Sequence, residues 1–90
     1  MYHIIMNPTS KSGKGPAIWQ TVRSILSEEE IPYILHESTC TGHVTELTRQ
    51  ITSTGQKVNL ILLGGDGTVN EALQGITDFD KVSIGYIPTG

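Results

Sequence analysis

The stretch Val58-Asn59-Leu60-Ile61-Leu62-Leu63 constrains this chain more than any other. It is almost continuously apolar, and Gly64-Gly65-Asp66-Gly67 follows it at once. A strand of that kind must be covered on both faces, as in the middle of a parallel sheet. The glycines then let the backbone turn sharply.

Patterns for a layered fold lie on either side. Tyr2 to Met6 is short, apolar and β-prone, and Asn7 to Gly15 is a polar, glycine-bearing loop. Pro16 suits the first turn of a helix, and Ile18, Val22, Ile25 and Leu26 recur at helical spacing up to a stop at Pro32. Glu28, Glu29 and Glu30 oppose the helix dipole, so the last turn is expected to fray. Tyr33 to His36 reads as a second strand. Val44, Leu47 and Ile51 mark a helix ending near Gly55, Val69 to Ile76 a third helix, and Val82 to Ile87 a fourth strand. The order β-α-β-α-β-α-β predicts an α/β fold: a parallel sheet, helices on both faces, right-handed crossovers. Ligands of such sheets bind outside the carboxyl ends of the strands, where Asn7–Gly15, Gly64–Gly67 and Pro88–Gly90 all fall.

Composition narrows the function. With 90 residues there is room for one small domain. A net charge of −3 and the absence of a Lys/Arg run argue against a nucleic-acid surface. Cys40 is the single cysteine, which fits a reducing cytoplasm. No signal peptide or membrane-spanning run is legible, so any membrane contact is expected to be peripheral. His3, His36 and His43 lack metal-ligand spacing and read as ordinary surface or turn residues. Trp19, near Ile18 and Val22, reads as core, and Cys40 as inert.

The chemistry concentrates in Gly64-Gly65-Asp66-Gly67-Thr68-Val69-Asn70-Glu71. Freed N–H groups at a helix N-terminus favour an anion such as phosphate. A carboxylate there makes sense if a divalent cation lies between it and the phosphates, or if Asp66 accepts a proton from a substrate hydroxyl. Without a ligand, Thr68-x-x-Glu71 is a capping box and Asp66 merely favours the helix N-terminus. Neither a Walker A loop nor a dinucleotide fingerprint fits.

Gly-Gly-Asp-Gly-Thr followed by x-Asn-Glu resembles the diacylglycerol kinase catalytic family, which includes bacterial lipid kinases and sphingosine kinases. Asn7-Pro8-Thr9-Ser10 resembles that family's N-P-x-S-G loop, although Lys11-Ser12 precedes Gly13 here. Ile84-Gly85-Tyr86-Ile87-Pro88-Thr89-Gly90 resembles the start of its third motif. The resemblance implies an ATP-dependent lipid kinase of two domains. Residues 1–90 would be a truncated N-terminal nucleotide-binding part, and a β-rich lipid-binding domain would be absent. Asn7, Pro8, Thr9 and Ser10 would line the nucleotide. Gly64, Gly65, Gly67, Thr68, Asn70 and Glu71 would belong to the phosphate-binding motif. Asp66 would be the essential acid, as base or as Mg²⁺ ligand. The family's nucleotide-contacting hydroxyl after strand two points to Ser38 or Thr39. The acceptor would be a lipid alcohol such as diacylglycerol, reached by peripheral membrane contact. Self-association through an uncovered strand four is a further expectation. A NAD kinase-like phosphotransferase and a non-catalytic nucleotide-binding module are the alternatives.

Overall fold

The computed structural model describes residues 2–7, 15–40 and 42–89. The elements in chain order are β1 (Tyr2–Met6), α1 (Gly15–Glu28), β2 (Tyr33–Glu37), α2 (His43–Thr52), β3 (Val58–Gly64), α3 (Asp66–Gly75), a single 3-10 turn at Phe79–Lys81, and β4 (Val82–Pro88). The four strands form one parallel sheet in the order β2-β1-β3-β4.

Alternation along the strands sorts the side chains into two cores. Ile5, Leu60 and Leu62 face Val44 and Ile51 of α2 and Ala72 of α3. Ile4, Met6 and Leu63 face Trp19 and Leu26 of α1. Trp19 is buried and packs edge-on against Tyr33, with ring centroids 5.5 Å apart. β3 contributes to both cores, as its apolar run requires. β4 is an edge strand, and its Ile84 and Tyr86 are each 40% exposed.

The chain leaves β1 toward β2 with α1 on one face, and moves from β2 to β3 to β4 with α2 and α3 on the other. Opposite directions on opposite faces keep a single crossover hand. They also make the carboxyl ends of β1 and β3 a switch point, where neighbouring loops diverge and leave a crevice.

Two local expectations change. α3 begins at Asp66, not Val69, because Gly65 is extended (φ −96°, ψ −170°) and the next residues enter the first turn directly. The end of α1 is not frayed. Glu30 takes φ 54°, and its N–H donates to Ser27 O at 3.2 Å while the Ile31 N–H donates to Leu26 O at 2.9 Å. This is a Schellman closure, with Ile31 and Leu26 packed in the same core. Its geometry satisfies the last carbonyls, which outweighs the unfavourable glutamates. A left-handed glutamate costs roughly 1–2 kcal/mol. Glu30→Gly is therefore expected to stabilise the chain by about 1 kcal/mol, read as a higher urea midpoint at unchanged m-value.

Candidate functional site

Sheet pairing lines up the ends of the four strands. The Ser38 N–H donates to Met6 O at 3.0 Å, the Asn7 N–H to Leu63 O at 3.1 Å, and the Thr89 N–H to Gly64 O at 3.1 Å. Ser38, Asn7, Gly64 and Thr89 thus form a row across the carboxyl edge of the sheet, with the start of α3 rising beside it. Tyr86 Oη donates to the same Gly64 carbonyl at 3.2 Å, fixing the turn from the β4 side.

The glycines of the central motif do different work. A Cβ on Gly64 would lie 2.3 Å from Thr68 Oγ1 and 2.7 Å from Thr68 Cβ, so Gly64 lets the strand pass against the first turn of α3. A Cβ on Gly65 or Gly67 would meet nothing within 4 Å, and neither residue has a positive φ. Neither packing among the described residues nor backbone strain demands glycine at those two positions. Among the described residues, both border open space at the start of α3 that a side chain would fill.

Gly65 is the N-cap residue of that helix, and among the described residues no side chain caps the turn. The amides of Asp66 and Gly67 therefore lack the intrahelical partners that later residues have. The capping box expected of Thr68 and Glu71 does not form. Thr68 is buried inside the first turn, and its N–H donates to Gly65 O at 3.1 Å. Glu71 turns the other way: its Oε1 accepts the Gly42 N–H at 2.9 Å, and its carbonyl accepts the Thr45 hydroxyl at 2.8 Å. The early start of α3 places Thr68 within the helix, so the cap spacing is lost. Asp66 and Asn70 are exposed on the first turns.

Glu71 ties α3 to the β2–α2 loop. Gly42, at φ 86°, starts α2 and presents its N–H to that carboxylate. One residue on, His43 Nδ1 accepts the Thr39 N–H at 2.9 Å and lies 3.2 Å from Thr39 Oγ1. Ser38 is buried and Thr39 exposed, so of the two hydroxyl residues Thr39 is the solvent-facing one. His43 is thus a loop organiser, a role its spacing did not reveal.

Pro8, Thr9 and Ser10 lie outside the described residues, as do Lys11 to Lys14 and Gly90. Asn7 is described, at the carboxyl end of β1 beside the motif. His3 and His36, assigned to separate surface positions from sequence, are neighbours. Their rings lie 5.4 Å apart on β1 and β2. Their separation of 33 residues hid the pair, which only strand pairing creates. Among the described residues no three His, Cys, Asp or Glu side chains group to hold a metal ion. No described helix is long and apolar enough to cross a membrane.

Comparison with known proteins agrees with this architecture. The diacylglycerol kinase catalytic domain family matches residues 1–90. A protein of Bacillus subtilis (strain 168) named "Putative lipid kinase YtlR" is 32% identical over 92 residues, covering 99% of this chain and 29% of the relative. A solved structure described as "A putative diacylglycerol kinase from Bacillus anthracis str. Sterne" superposes with a TM-score of 0.81 at 22% identity, covering 99% of this chain and 30% of that one. The chain thus spans less than a third of the length of either protein.

Proposed function

Because the chain belongs to the diacylglycerol kinase catalytic domain family, we propose that it is the nucleotide-binding part of a lipid kinase that moves the γ-phosphate of ATP to a lipid hydroxyl such as that of diacylglycerol. One observation carries the reading: no described residue fills the space over Gly65 and Gly67, at a helix N-terminus that no described side chain caps, on the switch point of the sheet. Orphan amides and the helix dipole are complementary to phosphate oxygens, and the missing side chains let those oxygens approach.

The residues present also fit Mg²⁺. That ion usually binds through one or two carboxylates plus substrate phosphates and water rather than a protein cage. Asp66 is an exposed carboxylate on the first turn. Asp66 and the nucleotide phosphates would hold the ion, which supplies charge neutralisation. Asn7 and Thr39 would border the nucleotide from the β1 and β2 sides, with Asn70 on α3. Glu71 and His43 would act indirectly, by holding the β2–α2 loop in place. Phosphoryl transfer depends mainly on such positioning and charge neutralisation. The lipid would be presented at a membrane surface through peripheral contact.

Titration of the 90-residue chain with Mg·ATP, followed by backbone amide NMR, tests the site. Shifts are expected over Gly65 to Asn70 and at Asn7. Shifts that avoid both segments would refute the assignment. Gly67→Ala is expected to keep the fold and weaken binding at least tenfold, because its methyl enters the open space.

A further inference from the structure

A pocket of about 480 Å³ opens on the α2 side of the sheet, lined by His3 and Val58 near the starts of β1 and β3, by Lys57 just before β3, and by His36 near the end of β2, and it shares no residue with the proposed nucleotide site. Its polar lining comes from His3, His36, Lys57, Gln50, Gln56 and Thr54. No carboxylate is among the lining residues, and Lys57 is the one with a formal charge at neutral pH. The volume falls in the range usual for small-molecule sites.

The two imidazoles give this pocket its chemistry. His3 Nδ1 and His36 Nε2 are 3.2 Å apart, and the rings are inclined by only 23°. A proton on either nitrogen makes this contact a hydrogen bond, with a direction set by the tautomer, so the two rings titrate as a pair. Burial lowers the pKa of both rings below the ordinary 6.5. At His36 the charge of His3 adds to the shift. The rings are therefore mostly neutral at pH 7, and Lys57 supplies the positive charge, with no carboxylate among the lining residues to offset it and only neutral side chains from α2.

We propose that this pocket binds the phosphate group of a small anion. Imidazole, ammonium, amide and hydroxyl donors together outnumber the two oxygens of a carboxylate, while a tetrahedral anion offers four acceptors. The remaining volume accommodates the body of a phosphorylated metabolite. An anion beside the rings favours their charged form, so binding is coupled to proton uptake. In the free protein the sign is opposite. The folded pair resists protonation, so stability falls as pH drops below about 6.5, and a bound anion reduces that loss.

The test uses the 90-residue chain and histidine and amide NMR signals. Inorganic phosphate is expected to shift His3, His36 and Lys57. Sulfate, a dianion throughout this range, is expected to bind more tightly at pH 6 than at pH 8, by at most about a hundredfold, the limit for uptake of one proton over that range. Glycerol 3-phosphate binding more tightly than inorganic phosphate identifies a phosphomonoester as ligand, and equal affinity identifies free phosphate. His3→Asn combined with His36→Asn should abolish the pH dependence. Lys57→Gln, at an exposed site where folding is not at risk, should weaken binding at least threefold. The proposal fails if phosphate leaves these signals unmoved at pH 6, if it shifts only Gly65–Asn70, or if Lys57→Gln binds as well as the parent.

Discussion

Asp66→Asn is expected to remove the Mg²⁺ dependence of nucleotide binding by this chain. In a protein that carries this chain and the proposed kinase activity, it should lower turnover by about 10²- to 10⁴-fold, the range for losing a group that acts on the reacting atoms. The substitution keeps the size of the side chain and removes its charge. Asp66 is exposed and makes no capping hydrogen bond, so the fold should lose at most about 1 kcal/mol, from the interaction of its charge with the helix dipole. Turnover and thermal unfolding measured on the same variant separate the two roles. A fully active Asn variant would reduce Asp66 to an ordinary helix-start residue. An inactive variant that had also unfolded would say nothing of catalysis, so retention of the parent's unfolding midpoint is part of the expected result.

Gly75→Ala should produce a large stability loss. A Cβ there would lie 2.4 Å from the Thr45 carbonyl oxygen, 2.9 Å from Thr48 Cβ and 3.1 Å from the Arg49 amide nitrogen. Two of those neighbours are backbone atoms of α2 and cannot rotate away. α2 and α3 would have to separate, opening the core formed by Val44, Ile51 and Ala72. Overpacking of this kind costs about 1–3 kcal/mol, and the helix preference for Ala returns at most about 1 kcal/mol of it. A net loss of about 2 kcal/mol is expected, which lowers Tm by roughly 10 °C in a domain of this size. Gly75→Val should cost more. Gly67→Ala, with nothing within 4 Å, is the control that should melt no lower than the parent. Equal midpoints for the Gly75 and Gly67 variants would show that helix contact at Gly75 is not close in solution.

Among the described residues, the layered fold and its elements were readable because their signals are local. The run Val58–Leu63 required cover on both faces, and β3 indeed feeds both cores. Helical spacing placed Leu26, Val44 and Ile51 on buried faces, and Trp19 in the core, but Ile25 of the same α1 pattern is 54% exposed. The motif at Gly64–Glu71 lies where a strand meets a helix, again as its spacing indicated. Helix ends were less legible. The closure at Glu30 depends on Ile31 packing against Leu26, which dipole reasoning does not include. The early start of α3 depends on Gly64 passing close to Thr68.

The sequence by itself determined the element order, the two-faced burial of the central strand and the glycine-rich turn at its carboxyl end. These follow from periodicity and backbone freedom, which act over a few residues. Only the tertiary structure decided what each glycine is for, because three glycines in one motif look alike until the neighbour of each absent Cβ is known. It also decided that Glu71 reaches Gly42, that His43 holds Thr39, and that His3 meets His36. Those contacts join residues on different elements or across a turn. Strand order and the packing of α3 on α2 set their distances, and neither is written in the spacing of the residues themselves.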